Sequence, residues 1–152
     1  MSQRLNPVAV APNAYKAILA LEKYVRGSVE PHLLHLVKLR ASQINGCAFC
    51  IDMHWADLLK QGMDPRHVNA VAGWREAARF FSEAERAALN WAEAVNAVPQ
   101  RAPSDADLDA VKRHFSDAQI ADLTFQVGAI RSWNMLNASF HMPVPQTPYT
   151  VG

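Results

Sequence analysis

Apolar positions along this chain recur at helical spacing, and no stretch alternates as a strand would. Residues 1–12 carry Pro7 and Pro12 and read as an extended lead-in. Asn13 can cap a helix through AYKAILALEKYVRG, with Ile18, Leu19, Leu21, Tyr24 and Val25 on one broad face and Gly27 at its end. Pro31 behind Glu30 suits the first turn of a second helix, HLLHLVKLRASQI. There Leu33, Leu36, Val37 and Ile44 give the apolar spacing, and Lys38 and Arg40 mark a wet side. Asn45-Gly46 breaks the pattern, and CAFCIDMHWADLLKQ resumes it as far as Gly62.

Asp64-Pro65 restarts a helix through RHVNAVAGW. Ser82 with Glu85 forms a capping box that opens SEAERAALNWAEAVNAV. PQRAPS is a loop, and Ser104 opens a short helix ending near Phe115. A further box, Ser116 with Gln119, opens the longest periodic run, in which Ile120, Leu123, Val127, Ile130, Trp133 and Leu136 keep one phase. The tail MPVPQTPYTVG, residues 142–152, is proline-rich and expected to lie extended on a surface or a neighbouring subunit. The pattern predicts an all-α fold, one domain over residues 1–152, of roughly six to eight helices.

Composition agrees and narrows the function. A chain of 152 residues, half of them hydrophobic and 19% charged, can bury one sizeable core. Its formal net charge of +1 gives no electrostatic case for nucleic acid or an anionic membrane. No apolar run approaches the ~20 residues of a membrane span. The N-terminus does not read as a secretory signal, so the expected setting is the reducing cytoplasm. In that setting two cysteines three apart are more often redox-active or metal-binding than a structural staple.

Those cysteines, Cys47 and Cys50, lie inside HLVKLRASQINGCAFCIDMH, which runs from His35 to His54. If a helix begins near Gly46, then Cys47, Cys50 and His54 share one face, at i, i+3 and i+7. Free N–H groups and the helix dipole stabilise a thiolate there. His54 lies one turn from Cys50, within reach for proton exchange. The spacing favours Cys50 as the thiol with an acid–base partner and Cys47 as the resolving thiol; the reverse order stays open. His35, Cys47, Cys50 and His54 also make a legitimate two-Cys, two-His zinc inventory, although three of the four would come from one continuous helix.

Other residues carry weaker signals. Trp55, Trp74, Trp91 and Trp133 read as core or interface aromatics. Asp52 and Asp57 read as solvated charges facing away from the thiols. His32 reads as a solvated helix-start residue, and His67, His114 and His141 as surface histidines. Gln43 and Asn45 flank the motif and can hydrogen-bond around it.

The run RASQINGCAFCIDMHW, followed by Gly62 and WREAARFFSEAERAAL, resembles the carboxymuconolactone decarboxylase-like superfamily, and within it the AhpD-like alkyl hydroperoxidase core. The opening RLNPVAVAPNAYKAILALEKYV and the distal IADLTFQVGAIRSWNMLN extend that resemblance over nearly the whole chain. It implies a single-domain AhpD-like helical bundle assembled as a homotrimer or homohexamer. It implies a thiol peroxidase or disulfide reductase acting in antioxidant defence, with no cofactor. Cys50 attacks an organic hydroperoxide, Cys47 closes a disulfide on the resulting sulfenic acid, and His54 relays protons. A lipoyl- or thioredoxin-type dithiol resets the pair. The family's usual glutamate, twelve residues before the first cysteine, is His35 here. That change removes a fixed negative charge from the relay. It also strengthens the alternative of a metal-binding or non-enzymatic, oligomerising member.

Overall fold

The structure is a computed structural model that describes residues 2–150. Among them are eight α-helices and two short 3-10 turns. The helices are α1 (Pro7–Val10), α2 (Pro12–Ser28), α3 (Pro31–Asn45), α4 (Ala48–Lys60), α5 (Pro65–Ala70), α6 (Glu83–Asn96), α7 (Asp105–Lys112) and α8 (Asp117–Phe140).

Local chemistry sets most of the boundaries. Glu30, Asp64, Ser82, Ser104 and Ser116 each cap the helix that follows, and the last three complete capping boxes. Pro31 and Pro65 occupy first turns, where a missing N–H costs nothing. Gly46, at φ 68°, ends α3 in a left-handed turn: the Cys47 N–H reaches back to the Ser42 carbonyl at 3.1 Å. The chain therefore reverses in two residues, and Cys47 becomes the N-cap of α4.

The lead-in differs from expectation. Asn6 caps the short α1, and Pro12, rather than Asn13, opens α2. Two proline first turns one after the other are as compatible with helix as with extended chain. Gly27 lies inside α2, which continues to Ser28. The helix after Pro65 ends at Ala70 and passes into a 3-10 turn, Val71–Gly73.

Helix α3 runs through the middle of the domain, packed on α4, α6 and α8. Every residue from Leu34 to Ser42 except the half-buried Arg40 is buried. A helix enclosed on all sides has no wet face. Lys38, expected on a solvated side, is consequently only 1% exposed and must find its counter-charge indoors. One apolar cluster joins Leu34 and Val37 to Trp91, Leu123 and Val127 on one side of α3. A second joins Leu36 and Leu39 to Leu58, Val71, Trp74 and Leu89 on another. The third and smallest holds Ala41, Cys47, Cys50 and Ile130, with Phe49 and Trp133 against it.

The expected apolar face of α2 is only partly a core face. Val25 and Glu22 turn inward, while Leu19 and Tyr24 are exposed. This helix lies along α8 at the edge of the bundle and buries only the strip that meets it. Of the tryptophans, Trp74 and Trp91 are buried and Trp55 is exposed.

The starts of α3 and α6 are joined by His32 Nε2 and Glu85 Oε1 at 2.7 Å, with the His67 ring nearby. The hydrogen bond to Glu85 raises the His32 pKa against its burial. Burial pushes Glu85 up, but bonds from His32 and Ser82 bring it down to about 2. The stabilisation from His32 is therefore full below its unfolded value and fades as pH rises through the raised folded one. The part from Glu85 is full above the ordinary carboxylate range. His32→Gln is expected to lower Tm by about 1–3 °C at pH 5.5 and by less at pH 8.5, measured by thermal melts across that range.

Candidate active site

Four helices bring the site together. Helix α4 supplies Cys47, Cys50, His54 and Asp57; α3 supplies His35 and Lys38; α2 supplies Glu22 and Arg26; α8 supplies Trp133 and Asn137. Cys47 and Cys50 are joined in a disulfide across the first turn of α4. The backbone N–H of Cys50 points at Cys47 Sγ at 3.3 Å. Asn137 Nδ2 donates to Cys50 Sγ at 3.3 Å. Each sulfur thus has one N–H donor that would also hold it as a thiolate once the bond opens.

His54 lies one turn beyond Cys50 and is 1% exposed. Its Nδ1 is 3.2 Å from His35 Nδ1 and 3.5 Å from Asp57 Oδ2, and His35 Nδ1 is 3.3 Å from the same oxygen. Its Nε2 has no hydrogen-bond partner among the described residues. The ring stands in the wall of a cavity of about 240 Å³. Burial pushes the His35 imidazole down to about 4, and the neighbouring His54 adds to this against the pull of Asp57. Burial likewise lowers His54, again opposed by Asp57. Both shifts favour the neutral imidazole, the form of His54 that can accept a proton.

The same cavity is lined by Glu22, Arg26 and Lys38 and walled by Tyr15, Phe49, Met53 and Trp133. Lys38 Nζ and Glu22 Oε1 form an ion pair, Arg26 Nε meets the same oxygen at 3.0 Å, and Trp133 Nε1 donates to Oε2 at 3.2 Å. Burial raises the Glu22 pKa, but Lys38 and Arg26 more than offset it and hold the carboxyl below its ordinary value. Burial lowers Lys38, partly offset by Glu22.

The structure brings all four expected site residues, His35, Cys47, Cys50 and His54, into one region. It does not bring in His32, which pairs with Glu85. Asp57 corrects the sequence reading: it is 1% exposed and sits against both histidines. The signal was available, because Cys50, His54 and Asp57 stand at i, i+4 and i+7 and so share a stripe. Asp52 is half-buried rather than solvated. Glu22 and Asn137 had no signal in the sequence: Asn137 meets Cys50 because α8 packs on α4, and Glu22 joins the cavity wall through its pair with Lys38. His141 caps the end of α8 in a left-handed conformation (φ 53°) and lines the groove beside Cys47. Asn45 bonds Asn96 and Asn134 behind the motif at 3.0 and 2.9 Å. With both sulfurs in the disulfide, only His35 and His54 of the alternative metal set keep donor atoms, and Asp57 joins them in a buried cluster.

A sequence profile of the carboxymuconolactone decarboxylase family matches residues 12–94, more than half of the chain, including the whole CxxC stretch. This chain belongs to the carboxymuconolactone decarboxylase family. Among its relatives there, the YdfG protein of Bacillus subtilis is 36% identical over 138 residues, covering 90% of this chain and 93% of its own. A crystal structure from Agrobacterium tumefaciens, of a protein of unknown function for which an AhpD antioxidant-defence role is suggested, is 39% identical. It superposes with a TM-score of 0.92 over 96% of this chain and all of its own. The fold extends to the debrominase Bmp8, at 20% identity and a TM-score of 0.78 over 89% of this chain and 73% of its own. The all-helical, AhpD-like, single-domain expectation is thereby met. No described helix is long and apolar enough to cross a membrane.

Proposed function

We propose that this protein is a CxxC thiol peroxidase of antioxidant defence. The observation that carries the reading is a closable dithiol at the start of α4, one turn from a buried histidine that stands in the wall of a mainly apolar cavity. In the reduced protein the Cys50 thiolate attacks the hydroperoxide O–O bond. Cys50 becomes a sulfenic acid and an alkoxide leaves, taking a proton to become the alcohol. Cys47 then displaces water from that sulfenic acid and the disulfide closes. In this reading His54, one turn from Cys50, takes the thiol proton and returns it to the leaving oxygen. His35 and Asp57 orient its ring through Nδ1, a role that a single carboxylate would play elsewhere. An external dithiol supplies the two electrons that reopen the bond. The mainly apolar cavity wall favours an organic hydroperoxide over a small hydrated one. The homotrimer or homohexamer implied by the resemblance would cover Phe125 and Met135, which are 56% and 59% exposed on α8. The expected result is that reduced protein given one equivalent of an organic hydroperoxide loses about two mass units in intact mass spectrometry. Retention of both free thiols with the hydroperoxide unconsumed would remove the reading.

A second reading, a bound divalent metal, has one geometric support. The three buried donor atoms of His35, His54 and Asp57 form a triangle with edges of 3.2, 3.3 and 3.5 Å. Ligands at ~2.0–2.1 Å around tetrahedral zinc are ~3.3–3.4 Å apart. This reading expects about one zinc per chain to survive gel filtration with the disulfide closed, and to be lost in Asp57→Asn. Zinc-free protein after saturation with the metal excludes it.

A further inference from the structure

The two sulfurs at the start of α4 are met by donors of different origin. Cys47 Sγ accepts the backbone N–H of Cys50 at 3.3 Å, a donor that an N-cap residue draws from its own helix. Cys50 Sγ accepts a side chain from another helix, the Asn137 Nδ2–H of α8, also at 3.3 Å. The surrounding structure fixes that amide. Trp133 and Asn134, one turn earlier on α8, donate to Glu22 Oε2 of α2 at 3.2 Å and to Ser42 Oγ of α3 at 3.1 Å. The Asn137 carbonyl accepts the Met142 N–H at 2.9 Å, which closes the end of α8 around the left-handed His141. The donor is therefore in place before any charge develops on the sulfur.

The setting decides how much such a donor matters. Cys50 is fully buried and packs with Ala41, Cys47 and Ile130. Burial among apolar groups penalises a thiolate, and a hydrogen bond to the charged form offsets the penalty. The titratable groups around the pair are His54 and Asp57 on α4, His35 and Lys38 on α3, and Glu22 and Arg26 on α2. His141 follows α8 beside the groove. All of these stay the same when only position 137 is changed, so the contribution of the amide can be read separately.

We propose that Asn137 is a positioning residue that sets the redox balance of the Cys47–Cys50 pair, by holding Cys50 as the thiolate of the reduced protein. In the disulfide the Asn137 N–H meets a weak, neutral acceptor. Once the bond opens it meets an anion, and charge-assisted hydrogen bonds are roughly twice as strong as neutral ones. The gain falls on the reduced side, so the pair becomes easier to reduce. With dithiothreitol as the reductant, the protein S–S bond breaks, the reagent closes its own S–S bond, and two electrons pass to the cysteines. One of the reagent's two protons goes to Cys47 and the other to solvent, leaving Cys50 ionised. The role at Cys50 stands apart from the peroxidase reading; only its consequence for turnover, a sulfur kept ionised for attack, rests on that reading.

Two equilibrium measurements test this, and neither needs a hydroperoxide. In reduced Cys47→Ser, thiolate absorbance followed against pH gives the Cys50 pKa. Adding Asn137→Leu is expected to raise it by about one, a roughly tenfold smaller thiolate fraction at pH values below it. In reduced Cys50→Ser the same substitution is expected to leave the Cys47 pKa where it was. With both cysteines present, Asn137→Leu is expected to shift the equilibrium with a dithiothreitol redox buffer about tenfold toward the protein disulfide, about 30 mV. That shift closes as pH falls below the Cys50 pKa, where no thiolate is left for the amide to hold. Asn137→Asp keeps the shape and loses the donor, so it is expected to move both readouts at least as far, and it decides the matter if the leucine variant does not fold. A variant folded by circular dichroism, with Cys50 pKa and disulfide equilibrium unchanged, overturns the proposal. So does an equal rise in the Cys47 pKa, the mark of a general packing change. If the expected shifts appear but the reduced protein ignores hydroperoxides, the peroxidase reading fails and the role of Asn137 stands.

Discussion

Cys50→Ser is expected to abolish hydroperoxide turnover, a fall of at least about a thousandfold, because no other described thiol stands one turn from His54. Cys47→Ser is expected to behave differently. Its Cys50 still attacks once, but no partner thiol is present to close a disulfide. Intact mass then shows a gain of about 16 units, the sulfenic acid, instead of a loss of about two. A dimedone-type trap captures that species only in Cys47→Ser. The pair of outcomes separates the attacking from the resolving sulfur, a distinction that the CxxC spacing by itself leaves open. If both single variants keep full turnover, the dithiol is not the working centre. If Cys47→Ser is silent and Cys50→Ser gains oxygen, the order is reversed.

Glu22→Gln is expected to cost about 3–5 kcal/mol, lowering Tm by about 8–15 °C. The reason is Lys38. It is 1% exposed in the middle of α3, where it forms an ion pair with Glu22. Neutralising the carboxylate strands an ammonium in the core and also withdraws the charge that Arg26 and Trp133 share. Breaking a buried pair costs far more than the pair contributes, since the desolvation of the remaining charge is no longer offset. The double variant Glu22→Leu/Lys38→Met removes both charges and is expected to recover most of the loss. Thermal or urea melts of the two variants and wild type decide the matter. A Glu22→Gln protein as stable as wild type would show that Lys38 has another way to be satisfied. These two groups border the His54 cavity, so the charge pair also sets the electrostatic background against which the thiols work.

The legible parts of the fold were those written in local chemistry. Two of the three capping boxes, the proline first turns and the Gly46 break announce themselves within four or five residues. Where the reading slipped, two local solutions were close in energy. The double-proline lead-in can be extended or helical, and its contact with the end of α8, Arg4 N–H to the Phe140 carbonyl at 2.9 Å, favours the compact form. The α2 face failed for another reason. Leu19 and Tyr24 have the right spacing for a core, but both stay exposed, and Tyr24 meets α8 through its hydroxyl, at Asp122.

For the site, the sequence by itself determined the dithiol, its position at a helix start and the phase that aligns His54 with Cys50. All of these follow from separations of seven residues or fewer and from the backbone geometry of one helix. The same phase carried Asp57, which its charge alone made easy to misplace. Only the tertiary structure decided what surrounds that helix. Enclosing α3 on every side turned Lys38 from a surface charge into a buried one and drew Glu22 in from α2. Crossing α8 over α4 put Asn137 on Cys50. The same crossing places Asn137 and Ala138 of α8 in the wall of the groove beside Cys47. Side chains tens of residues apart in sequence meet only when helices pack, and neither periodicity nor propensity along the chain encodes which helix covers which.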